Sequence, residues 1–548
     1  MLILLLWFMA VLLVVGMLAG KWRDAQKPPE PWYVPGFDWL KDSTRSLATL
    51  VLGGKGSGKS FAVGRDLGWR TFQAGIAQIL IDPTGALADN FLQKLLETTE
   101  HLPPDQKEAV WRRVWYVDMA ASDGYVTSWP FYFRLGSESL YAGAQRFIDT
   151  IVRLYPSLAS APVEGETALR TVASHVGMIL TALGWQISEA ESLLQDPKKW
   201  DKEGWLDEAV RRGPELQKSV TWVKKTYIKL GPELQMRRTS SFRSKIEMYS
   251  LDPVQRAIYG GSEGVDFETL REQGITLIVD FRHVLTEERL RFGMMWVFQW
   301  FMAQIRHRGL RQKPIHLCID ELSRMTNQDG QNGNSEFSKD IDTLLSVEAR
   351  NRNVFCTLML QGLWQVDERL QASLLSSGNL MVGYQSDLES ARTLASKMFP
   401  YTGQSLVKRW EKIYSQTPNG PVLTNQRPVE YSLTEANYLA ANAFTQLRGW
   451  HFLVRPAVAE GTVNGPVLPM VVKEVGQWAD KERIAALRRE LVRQTGRPLE
   501  EVLAEIDQRM QPKPGEASAT LSTNEPDGDL PPENGAADGQ GVIWETAA

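Results

Sequence analysis

Residues 46–60 read SLATLVLGGKGSGKS, a short β-rich apolar run that passes directly into GGKGSGKS (53–60), and FAVGRDLGW (61–69) then opens a helical pattern. The eight residues satisfy G-x-x-x-x-G-K-[ST], the spacing of a phosphate-cradling loop between a strand and a helix. Gly53, Gly54, Gly56 and Gly58 let backbone N–H groups curl around phosphate oxygens; Lys59 supplies a point charge to the β- and γ-phosphates, and the Ser60 hydroxyl is placed to ligate Mg²⁺. The expected nucleotide-binding segment is therefore Gly53, Gly54, Lys55, Gly56, Ser57, Gly58, Lys59 and Ser60, with ATP and Mg²⁺ as the ligands. A merely flexible Gly-rich turn is the alternative, and the strand–loop–helix context argues against it.

Further apolar runs follow: AQILIDP (77–83), VWYVDM (114–119), ITLIVDF (275–281), IHLCIDE (315–321), VFCTLML (354–360), NLMVGY (379–384) and WHFLVRP (450–456). Continuous apolar strands separated by helical segments predict an α/β protein with a mostly parallel sheet covered on both faces. Several of these runs end in an acid, and ligands of open α/β sheets bind outside the carboxyl ends of the strands. IHLCIDE delivers Asp320 to hold a Mg²⁺-bound water and Glu321 to orient and deprotonate an attacking water. Asp280, ending ITLIVDF, is a rival carboxylate ranked below Asp320. Gln361 ends VFCTLML, where a polar group can read the γ-phosphate; just upstream, Arg350 and Arg352 are placed as candidate charge-stabilising fingers for a neighbouring subunit.

With 548 residues the chain is long enough for several domains, and its 43% hydrophobic and 23% charged residues exclude a collagen-like, coiled-coil or wholly disordered protein. The formal charge of -4 excludes a global polycation, so any nucleic-acid binding must be local. Cys318 and Cys356 lie inside apolar runs, which reads as buried thiols in a reducing compartment rather than a disulfide framework.

Residues 1–20, MLILLLWFMAVLLVVGMLAG, carry no charge and have the length of a membrane span; a cleaved signal peptide is the alternative, disfavoured by the missing basic n-region and cleavage site. Lys21, Arg23 and Lys27 follow, so the expectation is a single-pass inner-membrane protein with its bulk in the cytoplasm. The expected layout is an anchor (1–20), a Pro-rich spacer (21–45), a first part of the nucleotide-binding domain (46–140), an all-helical insertion (141–265), a second part (266–474), a helical segment (475–510) and a disordered acidic tail (511–548). The helical patterns of the insertion are ALRTVASHVGMILTALGW (168–185) and ELQKSVTWVKKTYIKLG (215–231). The tail reads either as a solubilising end or, through Val542-Ile543-Trp544, as a docking peptide.

Lys218, Lys224, Lys225, Lys229, Arg237, Arg238, Arg243 and Lys245 share a stretch in which Glu233 is the only acid. This is a candidate sequence-independent DNA surface, centred on Lys224, Lys225, Arg237 and Arg238, and the interleaved Trp222, Tyr227 and Phe242 read more readily as core. The polar loop NQDGQNGNSEFSKD (327–340) is placed to be a pore loop.

The order of these parts, namely the membrane span, GGKGSGKS, IDPTG (81–85), a helical insertion, IHLCIDE, EARNRNVFCTLMLQ and NLMVGYQSDLESARTLA (379–395), resembles that of the FtsK/HerA-like DNA-pumping ATPases. Within them it is most similar to the TraD/TraG-like coupling proteins of conjugation and type IV secretion, over roughly residues 1–460. The resemblance implies a RecA-like P-loop ATPase, a homo-hexamer with ATP at its interfaces, and DNA in a central channel. It also implies a finger at Arg350 and a sensor at Gln361. The implied partners are DNA, inner-membrane secretion or conjugation components, and a relaxosome or effector protein at the tail. The chain departs from the pattern in having one expected span where many relatives have two, and DPTGA where many carry a more charged sequence. A secretion-associated ATPase that recruits or unfolds protein substrates without moving DNA is the competing reading.

Overall fold

The computed structural model describes residues 34–35, 37–40, 42–45, 47–154, 163–307, 309, 313–326, 336–376, 378–399, 407–418, 420–457, 466–472 and 480–509. In chain order the strands are β1 (Val34–Pro35), β2 (Thr49–Leu52), β3 (Ala77–Asp82), β4 (Val114–Asp118), β5 (Tyr125–Val126), β6 (Thr276–Asp280) and β7 (Ile315–Ile319). They continue with β8 (Val354–Leu360), β9 (Asn379–Val382), β10 (Val407–Thr417), β11 (Gly420–Glu430), β12 (His451–Arg455), β13 (Leu468–Val471) and β14 (Arg497–Pro498). Ten of them form one sheet in the order β1-β13-β12-β9-β2-β8-β7-β3-β6-β4. From β9 to β4 every pairing is parallel, and β12 runs antiparallel to both of its neighbours. All eight apolar runs singled out above are strands of this sheet.

These runs are apolar throughout because both faces of the sheet are covered. Side chains alternate across a strand, so Val51, Leu80, Ile278, Cys318 and Met359 join the core beneath the helices of 61–72, 86–99 and 481–495. Leu50, Ile79, Leu277, Leu317 and Leu358 face the opposite core, built with helix Glu287–His307 and the helices that follow β5. Cys318 and Cys356 are buried free thiols on neighbouring strands.

The described residues between β5 and β6 form helices and connecting turns, among them Leu140–Leu154, Val163–Leu183, Ile187–Gln195, Pro232–Leu251 and Pro253–Gly260. The segment GPELQ occurs twice, at 213–217 and 231–235, and each copy puts a proline at the first helical position, at Pro214 and Pro232, where its missing N–H costs nothing. This helical region is welded to the sheet layer: Phe131 stacks on Phe147 (4.3 Å) and Tyr259 (4.5 Å) and meets Trp296 edge-on at 5.2 Å. At the other end of the chain, helix Lys481–Thr495 covers edge strand β4, where Thr495 Oγ1 accepts a hydrogen bond from the Tyr116 N–H at 2.9 Å. Helix Leu499–Arg509 then returns to the helical region through Asp507–Arg256 at 2.5 Å.

One element is not marked by any apolar run, although the sequence where its two strands meet carries Asn419-Gly420, a hairpin signal. β10 and β11 form an antiparallel hairpin apart from the main sheet, exposed along most of its length and carrying Trp410 and Tyr414 on its surface. A ribbon without a buried face needs no apolar run or strict alternation, so hydrophobic patterning does not mark it.

The expected placement as a single-pass inner-membrane protein is corrected. Among the described residues no helix is long and apolar enough to cross a membrane. Residues 1–20, on which that expectation rested, lie outside the described residues, as do most of the spacer, residues 327–335 and the tail from 510 onward. Helix Glu287–His307 spends its apolar surface on the interior, with Phe292, Trp296 and Phe301 buried, and opens with Glu287 and Glu288.

Candidate active site

The P-loop joins β2 to a helix that runs through 59–73 and widens by one residue per turn across Ala62–Gly68. Gly56 (φ 79°) and Gly58 (φ 93°) take left-handed conformations that side chains rarely adopt, which turns successive N–H groups inward. The loop is tied to the sheet by the Gly54 N–H, which donates to the Tyr384 carbonyl at 2.6 Å. Lys59 is buried and donates to the Gly53 carbonyl at 2.5 Å. Burial pulls its ammonium below the usual lysine value, while Asp320 and Glu321 pull the other way.

β2 and β7 are separated by β8 alone, so the end of β7 stands over the P-loop. Ser60 Oγ donates to Asp320 Oδ2 at 2.8 Å across 260 positions of sequence. Asp320 is 2% exposed; burial raises its carboxyl, and the Ser60 hydrogen bond and Lys59 oppose that rise. A hydroxyl and a carboxylate side by side form a hard oxygen donor pair of the kind Mg²⁺ prefers. Ser57 Oγ is buried in the loop without a hydrogen-bond partner among the described residues, and a phosphate oxygen would satisfy it. The residues present therefore fit a Mg²⁺-nucleotide.

Glu321 takes a left-handed backbone conformation (φ 47°, ψ 55°), costly for a non-glycine residue. Its Oε1 accepts from Gln361 Nε2 at 3.3 Å and its Oε2 from Arg324 Nε at 3.1 Å. Gln361 reaches it because β8 lies next to β7, and the Gln361 N–H is held by Gln365 Oε1 at 2.8 Å. Each glutamate oxygen thus accepts one hydrogen bond and keeps a further lone pair with which it can accept from a water.

The carboxylates of neighbouring strands are occupied otherwise. Asp82, fully buried, accepts from the N–H groups of Thr84 (2.9 Å), Gly85 (2.8 Å) and Ala88 (2.8 Å), capping helix Ala86–Thr99; this is the structural use of DPTGA. Burial, followed by Asp320 and Asp280, pushes its carboxyl up to about 7. Asp280 is two strands from β7 and is bound by Arg282 (2.6 Å) and the Tyr116 hydroxyl (2.5 Å). Arg282 also holds Asp89 at 2.7 Å. Arg282→Ala leaves Asp280 buried beside a tyrosine, and stability falls by about 3–5 kcal/mol in a denaturant titration while nucleotide affinity holds.

The structure brings Lys59, Ser60, Asp320, Glu321 and Gln361 together and leaves Arg350 apart. Arg350 is exposed just before β8, at the end of that strand opposite Gln361, about 20 Å away along seven residues of strand. Arg352 is committed to Glu348 and to the carbonyls of Ile305 (2.9 Å) and Gly309 (3.1 Å). Of the DNA candidates, Lys225, Arg237 and Arg238 are exposed. Lys224 departs from expectation: Asp201 (2.8 Å) and Asp207 (2.7 Å), both earlier in the chain, neutralise it and hold its ammonium above the usual lysine value. Trp222 stacks on His175 (4.6 Å) and Tyr227 (5.5 Å), and Tyr227 and Phe242 are buried. Sequence reasoning missed Arg324, Tyr384 and Trp450 at the site; the latter two were visible only as the terminal residues of apolar runs.

Strand order, P-loop and the Asp-Glu strand end together define a RecA-like P-loop α/β protein. Among solved structures the chain is similar to the bacterial conjugative coupling protein TrwBdeltaN70 in its unbound monoclinic form (14% identity, 84% of this chain and 93% of that chain, TM-score 0.47). It is also similar to the plasmid coupling protein TrwB in complex with ADP and Mg²⁺ (14%, 85% and 94%, 0.47) and to VirB4 of Thermoanaerobacter pseudethanolicus (11%, 82% and 98%, 0.45). No protein-family model and no curated protein matches the chain.

Proposed function

We propose that this chain is an ATP hydrolase that translocates DNA as a coupling protein for a conjugation or type IV secretion apparatus, working as a homo-hexamer. In this reading residues 46–140 and 266–474 are the motor, 141–265 the helical insertion and 475–510 a helical brace. The observation that carries the enzymatic part is the Ser60–Asp320 hydrogen bond at 2.8 Å with Glu321 adjoining it, which joins a phosphate loop to a general base. The order of sequence motifs supports the coupling role.

Bound Mg²⁺ would supply charge neutralisation on the nucleotide phosphates, and Ser60 and Asp320 are the residues that would hold it. Lys59 binds the β- and γ-phosphates after releasing the Gly53 carbonyl, and Glu321 orients the attacking water and accepts its proton. Gln361, bonded to Glu321, couples the base to whatever occupies the γ-phosphate position. The exposed Arg350 is assigned to a neighbouring subunit's site, since it lies far from its own.

ATP turnover of the full chain with and without DNA tests the proposal: stimulation by unrelated DNA sequences supports a translocase, and stimulation only by a secreted protein supports the protein-recruiting alternative. A salt titration tests the surface. Replacing Lys225, Arg237 and Arg238 with Gln weakens DNA binding equally on unrelated sequences and flattens the log–log salt slope by about 0.9 for each phosphate that is no longer neutralised. An unchanged slope in an equally stable variant moves the DNA path elsewhere. Lys224 is left in place, because its removal would strand Asp201 and Asp207.

A further inference from the structure

The hydrolytic groups Asp320, Glu321 and Gln361 all stand at the ends of β7 and β8, on one side of β2. A nucleotide whose γ-phosphate faces them lies with its other end toward the opposite side of β2, where β9 and β12 pair. Trp450 stands there. Because β12 is antiparallel to β9, the residue preceding it emerges at the same edge of the sheet as the carboxyl end of β2.

The backbone of Trp450 is held from two directions, its N–H donating to the Ser57 carbonyl at 3.1 Å and its carbonyl accepting from the Val472 N–H at 3.0 Å. It adopts φ 69°, a left-handed conformation that is an outlier for a bulky residue. That conformation brings the indole against the P-loop. A Cβ at Gly58 would lie 2.9 Å from Trp450 Cε3, and the Phe61 ring meets the indole edge-on at 4.7 Å. The side chain is only half-buried, although it borders the loop on both sides of Lys59 and Ser60. One part of the ring packs on the core beneath the loop helix, and strained residues of this kind cluster at ligand sites. Tyr384, the other half-buried aromatic on the loop, lies elsewhere along it: its ring packs on Gly54 at the start of the loop, 3.1 Å from where a Cβ would stand, whereas Trp450 flanks Lys59 and Ser60 through Gly58 and Phe61.

The geometry points to Trp450 as the stacking platform for the base of the bound nucleotide, with a purine as the preferred base. This inference rests on the nucleotide-site reading above. Stacking uses the π-face of the base and so follows its aromatic area, which is larger in a purine than in a pyrimidine.

The test is calorimetric titration of the full chain, with Mg²⁺ present, using ATP, UTP and tripolyphosphate, which carries the phosphates without a base. Trp450→Ala is expected to weaken ATP about 10- to 100-fold and to leave tripolyphosphate unchanged, while Trp450→Phe restores most of the ATP affinity. The unaltered protein binds ATP more tightly than UTP. Equal losses of ATP and tripolyphosphate in Trp450→Ala would show that the indole only props the loop, and equal affinity for ATP and UTP in the unaltered protein would also overturn the platform. If the unaltered protein binds none of the three ligands, the nucleotide-site reading fails instead.

Discussion

Glu321→Gln subunits bind ATP as tightly as the unaltered protein and hydrolyse it about 10²–10⁴-fold more slowly, the range expected when a positioned general base is removed. The amide keeps the size of the carboxylate; its oxygen still accepts from Arg324, and its NH2 is matched once the Gln361 side-chain amide turns its oxygen toward it, so the left-handed turn at 321 and the Ser60–Asp320 hydrogen bond are preserved. Lys59→Ala gives the complementary result. The side chain removed there is a buried cation within reach of the phosphates, and nucleotide binding disappears together with turnover. Equilibrium binding and single-turnover hydrolysis on the same preparations separate the two. Unaltered affinity in Lys59→Ala would remove the phosphate-loop assignment, and undiminished turnover in Glu321→Gln would move the base to another residue.

Mixing two inactive variants restores activity. Arg350→Ala subunits retain Lys59, Ser60, Asp320 and Glu321 but lack the exposed guanidinium before β8, whereas Glu321→Gln subunits retain Arg350. Each protein alone is slow, an arginine finger being worth about 10³–10⁵ in rate. In a mixed ring, some interfaces pair an intact Glu321 with an intact Arg350, and turnover rises above both parents in proportion to such interfaces. Arg352→Ala does not substitute for Arg350→Ala in this experiment. Its guanidinium is bound to Glu348 and to the carbonyls of Ile305 and Gly309, so its removal destabilises the helix end rather than the neighbouring site. Mixtures that exchange subunits yet stay at the level of the parents would mean that Arg350 does not act across an interface.

The sequence by itself determined the parts whose signals are local. GGKGSGKS was legible because strand, loop and helix start are contiguous, and the eight buried strands were legible because a sheet covered on both faces demands unbroken apolar runs. Only the tertiary structure decided which distant residues meet. Asp320 and Asp280 both end apolar strands, but β7 lies two strands from β2, with β8 between them, and presents Asp320 to Ser60, while β6 lies two strands farther out and presents Asp280 to Arg282 and Tyr116. Strand order arises from long-range pairing, which no window of sequence contains. The same holds for Lys224, whose partners Asp201 and Asp207 are brought to it by helix packing. It holds too for Trp450, a terminal residue of an apolar run that the antiparallel course of β12 carries to the rim of the P-loop. The hairpin at 407–430 left no trace in the hydrophobic pattern because neither strand has a core to face.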